Sequence, residues 1–364
     1  MKPFTEDEMV PLCVQPGFPG APSRTVWHSP CTPRENLLSA IQVKECSFLP
    51  NVLDMRGINP AFLPDNRARG TVMDGGDPFV PDPHGERDAF GVEWIYDPEI
   101  NGSMVRPGAP LLEDIEDWEE AIVFPDPLFW DWAGQAEASR AYLADPLYAR
   151  KSTIFTGFFE RLISFMDFEE AAIAMVDEDA QEHVHALFDR LTELYLTYLE
   201  CFKEHFDIDI LEVHDDWGSQ TAPLLSEGTL REMVLPYLTR LVSRAHDLGV
   251  AVEFHSCGKI ECLVPLMVEA GVDMWMGQDV NDKKAVVDAW GDKLIVEVEV
   301  PELGEEASDE EVWQAAQAFA DDFIIPGKPV ALSIYSAARA NRPLLTDALY
   351  ELSRKKLCGT AGGA

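Results

Sequence analysis

The sequence predicts an α/β protein built as a (β/α)8 TIM barrel with an N-terminal elaboration, and three observations carry that expectation. From about residue 205 onward, short β-branched runs alternate with longer amphipathic stretches, the pattern of repeated βα units. No dinucleotide-type glycine fingerprint follows any of these strands, which favours a closed barrel over an open doubly wound sheet. The 364 residues, 46% of them hydrophobic, suffice for one large barrel core.

Strands are expected at 208–214, 250–256, 272–277, 293–300 and 329–334, with helices in the gaps. The stretch Thr229 to Leu248 places Leu230, Met233, Val234, Tyr237, Leu238, Leu241, Val242 and Ala245 on one face of a helix that packs against the sheet. The front third reads as one barrel strand plus loops, with apolar runs at 48–55 and 91–96 among dense prolines and glycines. The expected organisation is a single domain over 1–364. Residues 1–45 form its N-terminal extension, and the barrel covers about 46–357 with a loop-rich insertion at 57–110.

A formal charge of -37 without a basic cluster repels phosphate backbones and excludes nucleic acid as a partner. The acidic, proline-containing start lacks the basic and apolar regions of a secretory signal, and no run of apolar residues is long enough to span a bilayer. A cytoplasmic protein is expected. Seven irregularly spaced cysteines suit reduced thiols in that compartment.

His255 and Cys257 fall two residues apart at the end of an apolar strand, so strand alternation turns both side chains to one side. Imidazole and thiolate suit Zn2+, and the C-terminal end of a barrel strand is where such folds build active sites. Gly258 lets the chain turn sharply afterwards. The alternative is a satisfied histidine beside an inert cysteine. Zinc needs further donors, and His214, Asp215, Asp216 and Gln220 in the segment VHDDWGSQ lie at another strand end, as ligands, supporting groups or substrate hydrogen bonders. Gln278 and Asp279 follow a later strand. Glu297 and Glu299 share one face of the next and must pair or coordinate if buried. Phe155, Trp217 and Tyr335 are candidates to line a substrate pocket, and Phe158, Phe159 and Trp275 suit core packing better.

DDWGSQ followed by HSCG, together with DAFGVEW, DWEEAIVFPDP and GVDMWMGQ, resembles the uroporphyrinogen decarboxylase superfamily, specifically its corrinoid-dependent methyltransferase branch. The resemblance covers most of the chain from about residue 35. It implies a zinc-assisted methyl transfer from a small methylated substrate to the Co(I) of a corrinoid (cobalamin) carried by a separate protein. His255 and Cys257 match the family's zinc HxC, with His214 as a candidate third ligand. Asp215, Asp216, Gln220 and Gln278 would orient the substrate or the metal site.

Coenzyme-thiol methyltransferases of this branch usually add a cysteine near the last strand, where this chain has Ser333, Tyr335 and Ser336. Fewer thiolates leave zinc a stronger Lewis acid, which tilts the expectation toward O-demethylation of a methoxylated aromatic. Glu178, Glu193 and His214 resemble in spacing a zinc pattern of aryl-ether demethylating enzymes. On one helix at about 1.5 Å per residue the two glutamates would stand roughly 22 Å apart, so only His214 carries over. The decarboxylase activity itself fits poorly, because DMRGINP keeps Arg56 but has Pro60 where a second arginine belongs. The alternatives are a methyltransferase using a methylamine, betaine or methyl-thiol, a decarboxylase-like lyase, and a non-catalytic binding barrel.

Overall fold

A computed structural model describes residues 2–15, 23–98, 102–304, 306–333 and 343–360. The chain divides into two compact units, one of Met1–Arg56, Pro146–Ala149 and Asp273–Ala364, the other of Gly57–Asp145 and Arg150–Val272. Strands followed by helices run through the sequence as the α/β-barrel class requires. Among the described residues, seven strands form the barrel-type series: Met55–Gly57, Ala149–Ile154, Ile210–His214, Ala251–Ser256, Met274–Gly277, Ile295–Val298 and Val330–Leu332. All five expected strands are present, each one to four residues shorter than the apolar run that signalled it.

In the first unit, Met274–Gly277, Ile295–Val298 and Val330–Leu332 pair in parallel, with Trp275 opposite Val296 and Val298 opposite Leu332. Ile295–Val298 is buried at every position, as a strand covered on both faces must be. Helix Asp309–Phe323 begins in a capping box between Ser308 and Glu311, which satisfies two otherwise orphaned donors. An antiparallel hairpin, Pro11–Gln15 with Arg24–Trp27, belongs to the N-terminal extension. Glu299 pairs with Lys283 at 2.5 Å, which settles how that carboxylate is carried. Arg56 lies over the Tyr148 ring at 3.8 Å.

In the second unit, which holds strand Ala149–Ile154 from Arg150 onward, that strand, Ile210–His214 and Ala251–Ser256 pair in parallel, in a register that sets Glu212 beside Glu253 and His214 beside His255. The two-residue alternation puts Ile154, Val213 and Phe254 on a buried apolar face and sends Lys151, Thr153, Glu212, His214, Glu253 and His255 to the other. The expected helix over Thr229–Leu248 is two helices, Glu227–Met233 and Leu235–Asp247, broken at Val234. Pro236 has no N–H to continue the ladder, and its ring excludes the preceding turn. Glu178 precedes helix Gln181–Phe206 rather than sharing it with Glu193, which bonds Arg240 on the surface at 2.7 Å. The segment read as loops contains a three-stranded antiparallel sheet, Glu86–Arg87, Glu93–Asp97 and Gly102–Val105.

Among the described residues no helix is long and apolar enough to cross a membrane.

Candidate metal centre

Two neighbouring strand ends in the second unit carry the candidate chemistry. Strand Ile210–His214 runs out into Asp215 and Asp216, and Ala251–Ser256 into Cys257 and Gly258. The exits are laced together: Asp215 N–H donates to the His255 carbonyl at 3.0 Å, Trp217 N–H to Ser256 Oγ at 2.9 Å, and Cys257 N–H to Asp216 Oδ1 at 2.8 Å. The last of these bonds fixes the carboxylate beside the thiol.

The donor atoms of Asp216, His255 and Cys257 all lie within 4.8 Å of one another. Cys257 Sγ is 3.6 Å from His255 Nε2. A tetrahedral zinc with a bond of about 2.3 Å to sulfur and about 2.05 Å to nitrogen would hold those atoms about 3.6 Å apart, so the pair is already spaced for the ion. Burial first, and then the negative Asp216, push the Cys257 thiol well above its ordinary value. A bare site therefore keeps the proton that a divalent cation would displace.

His214, the candidate third ligand, neighbours the cluster. Its ring centroid is 4.4 Å from that of His255, but Nε2 is engaged by Glu212 Oε1 at 2.6 Å, and the third donor in the cluster is Asp216. Glu212 belongs to a buried polar row in which Lys151 Nζ bridges Glu212 at 2.9 Å and Glu253 at 2.7 Å, and Thr153 donates to Glu212 at 3.0 Å. Burial pushes the Glu212 carboxyl up, but Lys151 and His214 outweigh it and hold the group well below its ordinary 4.5. A carboxyl with a lowered folded value contributes stability above the unfolded value and loses it as the solution turns more acidic. Unfolding free energy is therefore expected to fall with pH below about 4.5, and Glu212→Gln to flatten that slope while costing stability at neutral pH. Urea titrations across the acid range measure both.

Asp215 is buried and accepts hydrogen bonds from the backbone of Phe159 at 3.3 Å and Glu160 at 2.8 Å, and from Trp217 Nε1 at 2.9 Å. It thereby satisfies two orphaned N–H groups at the start of helix Phe158–Met166. Burial pushes its carboxyl up to about 7 against those donors. Trp217, 1% exposed, spends its N–H on Asp215 and packs on Phe254 at 4.6 Å, so it braces the strand exit from within the core. Phe155 sets its ring edge-on to His214 at 5.1 Å. Phe158, Phe159 and Trp275 are core residues. Gln220 lies exposed in the loop after Trp217. Gln278 belongs to the first unit, where its carbonyl accepts from the Asn281 side chain at 2.8 Å. Tyr335 and Ser336 lie outside the described residues.

Glu160, which sequence reasoning did not single out, forms an ion pair with Arg69, and burial followed by Asp216 raises its carboxyl while Arg69 opposes. Arg69 in turn lies over the Trp94 ring at 4.4 Å. No spacing in the sequence links Glu160 to the acidic loop it faces.

Residues 159–297 match the family model described as Uroporphyrinogen decarboxylase (URO-D), a segment that includes Asp216, His255 and Cys257 but less than half of the chain. A methyltransferase from Methanosarcina mazei has the same fold, at a TM-score of 0.57 and 14% identity over 88% of this chain and 98% of that one. A B12-independent methionine synthase from Shewanella (TM-score 0.39, 9% identity, 73% of each chain) and a D-psicose 3-epimerase from Clostridium cellulolyticum (0.33, 10%, 63% of this chain and 83% of that one) are more distant. No curated protein matches the sequence.

Proposed function

We propose that the protein is a zinc-dependent methyltransferase that moves a methyl group from a methoxylated aromatic to the Co(I) of a separate corrinoid protein. The observation that carries this reading is the cluster of carboxylate, imidazole and thiol donors at two adjacent strand exits, with sulfur and nitrogen at the 3.6 Å a tetrahedral ion requires. The URO-D segment around that cluster and the fold shared with a methyltransferase support it. Asp216, His255 and Cys257 would hold the metal and leave a position open for a ligand from solution. A zinc ion there supplies Lewis acidity for breaking the bond between oxygen and methyl carbon.

The remaining residues orient and insulate. Glu212, itself held by Lys151, fixes the His214 ring, and His214 with Phe155 forms the aromatic edge against which an arene would lie. Asp215 ties the helix bearing Glu160 to the same exit and acts as a positioning residue. A single thiolate among the donors favours an ether over a thiol as the group acted upon.

Metal content by plasma mass spectrometry tests the proposal on protein purified without chelator or histidine tag. About one zinc per chain is expected in the wild type, with loss in His255→Ala and Cys257→Ala and partial loss in Asp216→Asn. Absence of zinc from wild type supplied with the metal would overturn it.

A further inference from the structure

A small chamber opens beside the end of strand Ala149–Ile154, lined among others by Asp65, Phe90, Phe155, Thr156, Arg161 and Tyr198. Its room is that of about one water molecule. Three polar atoms of its lining, Thr156 Oγ1, Tyr198 OH and Arg161 Nε, are sealed from solvent and have no hydrogen-bond partner in the protein. Their residues are 2%, 5% and 2% exposed. Folded chains leave few such groups, and three in one cavity mark a place where a polar guest completes the bonding.

The donors are held in place. The terminal nitrogens of Arg161 are engaged by Asp88 and Asp65, the guanidinium also faces the Tyr195 hydroxyl, and Nε makes no hydrogen bond within the protein. The Tyr198 ring stacks on Trp130 at 5.7 Å, and burial raises its phenol, which keeps the hydroxyl proton available. Thr156 is anchored through its carbonyl, which accepts from Tyr195 OH at 2.8 Å. One guanidinium already faces two carboxylates, so the surroundings disfavour an anion and accept a neutral oxygen. Phe90 and Phe155 supply apolar walls, and the Phe155 ring also meets the His214 ring at 5.1 Å.

We propose that this chamber receives a neutral hydroxyl or carbonyl oxygen of an aromatic ligand, whose ring rests against Phe155, and that a water fills it otherwise. The inference rests on reading the neighbouring strand exits as the place where an aromatic donor binds. Its test is binding, which is read apart from metal content and turnover.

Phenol and toluene, alike in ring and different in the oxygen, are titrated calorimetrically into the wild type, Tyr198→Phe, Thr156→Val and the double variant. Phenol is expected to bind at least about ten-fold more tightly than toluene to the wild type. Each single substitution should narrow that ratio several-fold, and the double variant should bring it close to one. Tyr198→Phe keeps the ring that stacks on Trp130, and unchanged circular dichroism secures its fold. Equal binding of the two probes, no binding of phenol, or a preference unmoved by either substitution overturns the proposal. The same titration on Cys257→Ala separates the two readings. Zinc in the wild type with no oxygen preference sinks the chamber alone, whereas a preference that persists in a protein that never holds zinc leaves the chamber standing without the methyltransferase.

Discussion

Replacement of Arg161 by methionine is expected to lower the unfolding free energy by roughly 3–5 kcal/mol, the range for removing one partner of a buried ion network. Arg161 is 2% exposed and pairs with both Asp65 and Asp88. Asp88 also accepts from the backbone of Phe90 and Val92 and from Trp94 Nε1, so three further donors hold its oxygens in place. Without the guanidinium, two neighbouring carboxylates would be left without their cation, out of reach of bulk water. Burial already raises Asp65 against the pull of Arg161, and Asp65 is therefore the group that takes up a proton in the variant. The loss should be greatest at alkaline pH and shrink as the solution is acidified. Asp65→Asn should cost much less, since Arg161 keeps Asp88. Urea midpoints of the two variants decide the matter, and a loss below about 1 kcal/mol for Arg161→Met would mean that water reaches the carboxylates.

That network also marks the limit of what a single sequence discloses. His255 and Cys257 were legible because an apolar strand with period-two alternation ends at HSCG, and strand geometry then dictates that the two side chains approach. Asp216 was visible as one of four polar groups in VHDDWGSQ. The bond that sets it beside Cys257, from Cys257 N–H to Asp216 Oδ1, joins residues 41 apart and leaves no trace in local pattern. Arg161 reaches its partners across 73 and 96 residues, and both partners lie in a stretch whose prolines and glycines conceal its strands. The break at Val234 was masked for a different reason. The apolar three-and-four spacing continues across it, because both helices pack one face inward, and only Pro236 records the interruption.

The strand exits themselves depend on two glycines that meet backbone to backbone. Gly258 has φ +90, and a Cβ there would stand 2.3 Å from the Gly218 carbonyl carbon and 2.6 Å from the Ser219 carbonyl oxygen. A Cβ on Gly218 would in turn lie 2.4 Å from Ile260 Cγ2 and 3.0 Å from the Cys257 carbonyl oxygen. The loop after Asp216 and the loop after Cys257 can therefore lie against each other only while both positions lack side chains. Gly258→Ala adds left-handed strain to a backbone clash, and roughly 2–4 kcal/mol of destabilisation is expected from the two together. The clash pushes apart the segments that carry two of the three proposed metal donors, so bound zinc should fall as well. Gly249 provides the control: its φ is +69, yet a Cβ there meets nothing within 4 Å. Gly249→Ala bears the strain without the clash, and should cost about 1 kcal/mol and keep its zinc. If the two substitutions weaken folding and metal binding equally, strain alone accounts for both, and the close approach of Gly218 and Gly258 is not what holds Asp216 beside Cys257.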